Sequence, residues 1–256
     1  MRSFKILILF TLLCFTGSGF AGNQFRWVVG EKLVYKVRWA FVRLGTVEMY
    51  LSDTVRVNGH LLYKVDLKMD SNPVLIFVNL HNRYQCLVDS LFRPVKYVVK
   101  EKHGNEINRM IYRFDYKKNK VTWQIFDPKD STKIIKQKIF DLKDYMYDGI
   151  SLTYFARAHA KEGASFRVYS YFYDRRGPVD IHFLGDPEVV YFKPMKKDFK
   201  TYVVEGVFHL KGIAGVTGEY KGWFTYDDRR IPLGAKMKVF VGNVKVELER
   251  WEKWNP

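Results

Sequence analysis

Six histidines and one pair of adjacent aspartates are the residues of this sequence that could support acid–base or metal chemistry. Asp227 and Asp228 could form a carboxylate pair or a cation site, but neighbouring strand residues point to opposite faces and aspartate is a common turn residue. Arg229 and Arg230 follow directly and can neutralise both, so the pair predicts a turn. No two histidines lie at the spacing of metal ligands. They are His60, His81, His103, His159, His182 and His209.

The remaining motifs also give no catalytic centre. Gly212, Gly215 and Gly218 do not form the Gly-x-Gly-x-x-Gly pattern of a nucleotide site, and they indicate a flexible hairpin. Cys86 lies in a strand-like run with no histidine or second cysteine nearby, which favours a buried and unreactive thiol. The sequence therefore predicts no catalytic residue, no metal, no cofactor and no enzymatic activity.

Aromatic residues carry more information, because the chain has 17 tyrosines, 20 phenylalanines and 6 tryptophans. Many occupy alternating strand positions, where they either fill a core or line a concave face that holds an acyl chain or stacks on a sugar. Arginines and lysines at the rim would complement an anionic ligand. The candidate ligand-binding residues are Tyr35, Trp39, Tyr63, Tyr112, Phe166 and Trp223, with Arg38 and Lys64.

These residues must be positioned by strands, since polar and apolar residues alternate along most of the chain. One such strand is expected from Leu33 to Phe41, with Phe41 on its apolar face, and the next from Gly45. Asn58-Gly59 is a strong signal for a two-residue hairpin. A dozen or more short strands predict an all-β, mainly antiparallel fold, as a curved sheet or a partly open barrel or sandwich.

Two stretches depart from the alternation. Residues 74–80 are apolar apart from Asn79, which fits a short helix or a covering loop. Asp148 can cap a helix that continues to about residue 161, where Gly163 would end it. This is the one short helix expected, near 149–161.

The amino terminus has the pattern of a secretory signal peptide. Arg2 and Lys5 precede an apolar run, and small residues precede Ala21, which predicts cleavage after that residue. Residues 1–21 are then the leader, and 22–256 form a single β-rich domain. Lipidation at Cys14 is an alternative, although a lipobox requires a small residue where Leu13 stands, and an uncleaved membrane anchor is another.

The charge is strongly basic. The full chain carries +16, and loss of Arg2 and Lys5 with the leader lowers this to +14. An exported chain does not meet nucleic acid, so the expected partners are anionic lipid, lipopolysaccharide or acidic glycan, with peripheral membrane association. The other interpretation is that the lysines are the solvated faces of strands.

Three segments resemble the DUF3108 family of bacterial envelope proteins. The first runs from Gly30-Glu31 through Tyr35 and Trp39 to Gly45, and the second from Asp148 to Arg157. The third comprises Trp223, Asp227-Asp228 and Ile231-Pro232, followed by residues 241–248. The resemblance implies an exported, mostly antiparallel β protein, and it carries over no catalytic residue because the family's role is undefined.

The function expected from the sequence is that of a non-enzymatic periplasmic protein of a Gram-negative-type envelope. It would bind a lipid, lipopolysaccharide or glycan component in a concave β-sheet site. Two alternatives remain: an envelope hydrolase or glycan-modifying enzyme with a spatially assembled acid–base pair, and an integral outer-membrane β-barrel. Abundant lysines and several strands shorter than the ~9–11 residues needed to span a bilayer argue against that barrel.

Overall fold

A computed structural model describes residues 25–75, 79–103, 106–142, 146–210, 218–239 and 242–255. The predicted leader, residues 76–78 in the middle of the 74–80 stretch, and the hairpin expected at Gly212 and Gly215 lie outside these residues. The described residues form sixteen strands and one α-helix. The strands are β1 Lys32–Trp39, β2 Val42–Val57, β3 His60–Ser71, β4 His81–Asp89, β5 Pro94–His103, β6 Glu106–Asp115, β7 Lys120–Phe126, β8 Ile134–Asp141, β9 Met146–Tyr147, β10 Ser165–Phe172, β11 Arg175–Phe183, β12 Glu188–Phe192, β13 Lys197–Phe208, β14 Gly218–Thr225, β15 Pro232–Lys238 and β16 Asn243–Glu252. The helix, α1, is Gly149–Ala158.

The strands build one open, curved sheet, as the alternation predicted. Its order is β8-β7-β6-β5-β4-β3-β2-β1-β16-β15-β14-β13-β11-β10-β9, and β12 pairs with β13 outside this path. Pairing is antiparallel except for β9 with β10. The two chain ends of the domain meet at the centre, because β1 pairs with β16. The fold class expected from the sequence is therefore confirmed.

Helix α1 lies inside the curved sheet and separates two apolar cores. Ile150 and Tyr154 belong to the main core, which is built chiefly from β1–β7, β15 and β16. Leu152 and Phe155 belong to a second core against β10, β11, β13 and β14. A helix with two opposed apolar faces must be enclosed on both, so the sheet curls around it.

The helix begins as predicted and ends earlier than predicted. The Asp148 side chain accepts hydrogen bonds from the backbone N of Ile150 and Ser151, and the Ser151 hydroxyl completes a capping box. His159 follows the last helical residue. The expectation of a stop at Gly163 is wrong by one turn, because that glycine, with φ 70°, lies in the turn before β10.

The first hairpin also differs from the expectation. Strand β1 ends at Trp39 and β2 begins at Val42, so Phe41 lies in the turn and not on an apolar strand face. The next hairpin is the one predicted: Asn58 and Gly59 connect β2 to β3 with φ of 50° and 81°. Both values lie in the left-handed region that a type I′ turn requires.

Candidate functional site

An aromatic slot lies on the inner face of the sheet, at the end where β1 begins. The rings of Tyr63, Phe92 and Tyr154 define the slot, and the side chain of Trp27 occupies it. The Trp27 ring is nearly parallel to all three, with centroid separations of 4.0 Å to Tyr63, 4.8 Å to Tyr154 and 5.3 Å to Phe92. Phe25 meets Trp27 edge-on at 5.3 Å. Such parallel rings form a surface for flat or apolar groups.

Different elements hold the walls of the slot. Tyr63 lies near the start of β3, just after the Asn58–Gly59 turn, and Tyr154 lies in α1. Phe92 adopts φ 63° in the β4–β5 turn, which is organised by Asp89. The Asp89 side chain accepts hydrogen bonds from the backbone N of Leu91 and Arg93 at 2.9 and 2.8 Å. The walls are therefore fixed by a strand, a helix and a braced turn.

The occupant, by contrast, comes from a segment with no regular structure. Residues 25–31 precede β1 and belong to no strand. The Arg26 amide donates to the carbonyl of Asp228 at 3.1 Å, and the Gly30 amide donates to that of Leu51 at 2.8 Å. Trp27 is half-buried. The backbone of the segment is thus held at Arg26 and at Gly30–Glu31, while the Trp27 side chain is held by stacking alone.

A buried ionic cluster lies next to the slot. Arg157 donates two hydrogen bonds to the Glu31 carboxylate at 2.7 and 3.2 Å, and Arg229 donates another at 2.6 Å. Arg157 also donates to the carbonyls of Arg229 and Arg230 at 2.9 and 3.1 Å. All four side chains are buried. The guanidinium carbon of Arg157 lies 5.0 Å from the ring centroid of Tyr154, a wall of the slot.

The ionic states in this cluster follow from its charges. Desolvation raises the pKa of Glu31, but the Arg157 charge and the hydrogen bonds from Arg157 and Arg229 outweigh it and hold that pKa below 4.5. The pKa of Arg157 is raised, because the attraction of Glu31 outweighs desolvation. One carboxylate therefore faces two guanidinium groups, which leaves a surplus of one positive charge among these three residues.

A second buried polar group connects Cys86 to the helix cap. The Cys86 thiol donates to the Asp148 carboxylate at 3.0 Å and is fully buried, as predicted. Desolvation and the neighbouring Asp148 raise the pKa of the thiol well above its usual value. Desolvation also raises the pKa of Asp148, against the hydrogen bonds that it accepts. The thiol therefore stays protonated, which agrees with an unreactive cysteine.

Three of the predicted ligand-binding aromatics lie in or against the main core. Tyr35 is buried and donates to the carbonyl of Pro232 at 3.0 Å. Tyr63 forms a wall of the slot. Tyr112 is buried and donates to the carbonyl of Tyr173 at 2.9 Å. Of these three, only Tyr63 stands where a ligand could replace another part of the chain.

The other predicted residues are dispersed over the molecule. Phe166 packs on the second core, and Trp39 ends β1 at the far end of the sheet, half exposed. Trp223 donates to Glu188 at 2.8 Å on the face opposite Phe224. Arg38 pairs with Glu247 at 3.5 Å. Lys64 alternates with Tyr63 and Val65 and so points to the outer face.

The structure thus does not gather the predicted aromatic and basic residues into one site: Arg38 lies beside Trp39, far from the slot, and Lys64 points to the outer face. It also adds slot residues that the sequence reasoning missed, namely Trp27, Phe92 and Tyr154. A shallow depression of about 310 Å³ lies elsewhere, where β1 pairs with β16. We prefer the slot as the candidate site, because its walls are aromatic rings and the side chain that fills it, Trp27, belongs to no strand. The depression is lined by Lys32, Val34, Glu249, Arg250, Trp251 and Glu252.

The Asp227–Asp228 pair forms a turn, as predicted. The Asp227 carboxylate accepts hydrogen bonds from the backbone N of Arg229 and Arg230 at 3.0 and 2.8 Å. Arg229 does not neutralise the aspartates, however, since its side chain binds Glu31. Among the described residues, no three His, Cys, Asp or Glu side chains could hold a metal ion together. Within the same ranges, no helix has the length and apolar character to cross a membrane.

An open antiparallel sheet curled around one buried helix defines a β-barrel-like protein. The chain belongs to the DUF3108 family of proteins of unknown function, whose model matches residues 34–249. This confirms the resemblance noted in the sequence. The three resembling segments meet at the ionic cluster, since Glu31, Arg157 and Arg229 come from one segment each. No curated protein matches the chain.

Two solved structures are similar to this one. The first is a β-barrel-like protein of the domain of unknown function DUF1849 from Brucella abortus, with a TM-score of 0.59 and 10% identity. The match covers 89% of this chain and 99% of that chain, and it supports the fold alone. The second is a Bacteroides fragilis protein with a YmcC-like fold, at 8% identity over 90% and 99% of the two chains. Its TM-score of 0.35 carries no argument.

Proposed function

We propose that the chain is an exported cell-envelope protein that acts by binding and not by catalysis. Its ligand is a lipid, lipopolysaccharide or glycan component that enters the aromatic slot in place of Trp27. The observation that carries the proposal is this replaceable occupant, which stands between fixed aromatic walls but belongs to no strand. Export to the periplasm is supported by the leader pattern of residues 1–21.

The chemistry of the slot suits one class of ligand. Tyrosine and phenylalanine rings stack on the apolar face of a sugar or on an acyl chain. The cluster beneath supplies a surplus of one positive charge, with Arg157 against the Tyr154 ring and Arg229 beside it. A ligand with a flat or apolar part and a nearby phosphate or carboxylate would use both features.

The enzymatic alternative has counterparts in two partly exposed acid–base pairs, His81 with Asp70 at 2.9 Å and His209 with Asp180 at 2.7 Å, and in a serine–histidine pair at the exposed ends of β10 and β11. The Ser165 hydroxyl lies 2.6 Å from Nδ1 of His182, and Glu205 is the register partner of His182 on β13. Ser165 and His182 are exposed side chains on neighbouring strands. A nucleophile needs a site that excludes water and stabilises the developing charge. We therefore favour binding, and hydrolysis of an envelope ester or glycan that is lost in His182→Ala would reverse this choice.

Two substitutions with opposite expected signs test the binding proposal. Trp27→Ala removes the occupant, and an occluded site gains apparent affinity in proportion to the fraction that is opened. Tyr63→Ala removes a wall. Native mass spectrometry of protein purified gently from its own envelope, followed by lipid and glycan extraction, should show more ligand on Trp27→Ala and less on Tyr63→Ala than on the wild type.

The matched control is Tyr191→Ala, because Tyr191 is an exposed aromatic residue on β12, outside both cores. It should leave the bound ligand unchanged. Thermal unfolding of all variants separates loss of the site from loss of the fold. The proposal is overturned if folded Trp27→Ala and Tyr63→Ala retain the same ligand as the wild type, or if all of these proteins are empty.

A further inference from the structure

An apolar tip lies at the end of the sheet opposite the slot. We define the tip as Trp39, Phe41, Val42 and Val74, which lie on or next to two neighbouring turns. Phe41 is 96% exposed and Val74 81% exposed, while Trp39 and Val42 are each 41% exposed. Large apolar side chains exposed together at one end of a sheet indicate a contact surface, whereas single exposed ones need no explanation.

The two turns of the tip are tied to each other. The backbone N of Asn72 donates to the carbonyl of Leu44 at 2.8 Å, and its side-chain amide donates to that of Arg43 at 3.0 Å. The Asn72 side-chain oxygen also accepts from the Val74 amide at 3.2 Å. Asn72 thus braces the turn that carries Val74 against the hairpin that carries Phe41.

The residues of the hairpin turn are unfavourable for the backbone conformation that they adopt. The two turn residues are Ala40 and Phe41, and Ala40 has a φ of 50°. This left-handed conformation is unfavourable for a residue with a Cβ, and glycine or asparagine normally occupies it. The hairpin therefore has a turn sequence of low propensity, and it exposes a phenylalanine at its end.

Basic side chains lie directly behind the apolar tip. Arg38 precedes Trp39, and Arg43 follows Val42. Arg43 donates to both carboxylate oxygens of Glu249 at 3.1 and 2.8 Å, and Arg38 pairs with Glu247 at 3.5 Å. All four side chains are about 33–44% exposed, so phosphate groups in the solvent could compete for the arginines.

We propose that this tip docks on the surface of an anionic lipid bilayer. Phe41 and Val74 would enter the acyl boundary, Trp39 would lie at headgroup level, and Arg38 and Arg43 would contact lipid phosphates. Tryptophan prefers the membrane interface, and basic residues near it are attracted by anionic headgroups. A patch of four side chains fits a soft bilayer better than a protein partner, since a stable protein interface buries roughly 1,200 Å² or more.

This inference does not depend on the proposed ligand of the slot. Strand β1 separates the two places, with Trp39 at its end and the slot beyond its beginning, roughly 25 Å apart at the usual rise of a strand. Docking by the tip would leave the slot facing away from the bilayer. The two proposals can therefore fail separately.

Vesicle sedimentation of the protein purified after removal of the leader tests the proposal. Vesicles of phosphatidylcholine with phosphatidylglycerol should bind the wild type, and pure phosphatidylcholine vesicles should bind it more weakly. Phe41→Ser should lower partitioning into the anionic vesicles roughly tenfold or more, because one large apolar side chain no longer leaves water. Val74→Ser should act in the same direction. The matched control is Val189→Ser, since Val189 is 70% exposed on β12.

Several results would overturn the inference. The inference fails if the wild type does not bind anionic vesicles. It also fails if the control Val189→Ser loses as much binding as Phe41→Ser. Equal binding by Phe41→Ser and the wild type would exclude the tip as the docking point. Sedimentation velocity in the absence of lipid gives the other test: a dimer that Phe41→Ser abolishes would assign the tip to a second copy of the chain. Unchanged vesicle binding by Tyr63→Ala would confirm independence from the slot.

Discussion

Strand β2 connects two hairpins of equal length and opposite character. At one end Asn58 and Gly59 both take positive φ, and both residue types tolerate it. At the other end Ala40 takes nearly the same φ of 50° with a methyl group that does not favour it, and Phe41 follows, almost completely exposed. The residues of the first turn suit its backbone conformation. The residues of the second do not, and we explain them by the exposed Phe41 side chain.

The ion pairs at the two ends of β1 differ in the same way. Before the start of β1, Glu31, Arg157 and Arg229 form a buried cluster that holds β1, α1 and the β14–β15 turn together. Behind Ala40–Phe41, the ion pairs are exposed. One end thus contributes mainly to the stability of the fold, while the other leaves apolar surface in water. We expect substitutions at the two ends to separate stability from binding.

The largest effect should come from breaking the ionic cluster. Arg157→Met removes a fully buried guanidinium and leaves Glu31 with one partner and an unsolvated charge. Removing one member of a buried pair typically costs about 3–5 kcal/mol in the free energy of unfolding. Urea denaturation followed by tryptophan fluorescence measures it. A loss below about 1 kcal/mol would show that the cluster is not the attachment point of helix α1.

A smaller effect of the same cluster should appear as a pH dependence. Because the folded pKa of Glu31 is below its usual 4.5, the ionised carboxylate stabilises the folded state above that pH. This stability is lost as the pH falls through the folded pKa. Urea midpoints measured between neutral pH and about pH 3 should therefore decline less steeply in Glu31→Gln than in the wild type. Parallel pH profiles would contradict the assignment.

Exchanging the two turns tests the comparison directly. Asn58→Ala with Gly59→Phe forces two residues with side chains into the left-handed region and should cost about 2 kcal/mol. Ala40→Asn with Phe41→Gly should stabilise the protein by roughly 1 kcal/mol and abolish most vesicle binding. Thermal unfolding and vesicle sedimentation of the same two variants provide the measurement. If Ala40→Asn with Phe41→Gly were less stable than the wild type, Ala40 and Phe41 would contribute to folding, and the membrane contact would not be needed to explain them.

The smallest effect on stability should come from Glu249→Gln. Its ion pair with Arg43 is partly exposed, and such pairs contribute less than about 1 kcal/mol. The substitution frees Arg43 for lipid phosphate, so binding to anionic vesicles should increase although stability hardly changes. Glu252→Gln, on the same strand but away from the tip, serves as the control. Equal binding of Glu249→Gln and the wild type would remove Arg43 from the proposed contact.

Much of the fold was predictable, whereas the slot and the tip were not. Alternation along β3 and β16 is a local pattern, and so are the Asn58–Gly59 turn and the Asp148 cap. Phe41 was misplaced because alternation continues through the turn, and only the pairing of Trp39 with Val42 shows that β1 has ended. Tyr63 was identified among the candidates, but Trp27 lies before the first strand and carries no periodic signal.

The amino-acid sequence by itself determined the strands and the helix start, because each depends on residues within a few positions of one another, and three short segments of it indicated the family. Only the tertiary structure decided which side chains meet. Glu31 is 126 residues from Arg157 and 198 from Arg229, yet the three share hydrogen bonds in the core. Periodicity specifies which face of an element is apolar, but not which distant element covers it. That choice is made by the packing of the whole sheet around α1.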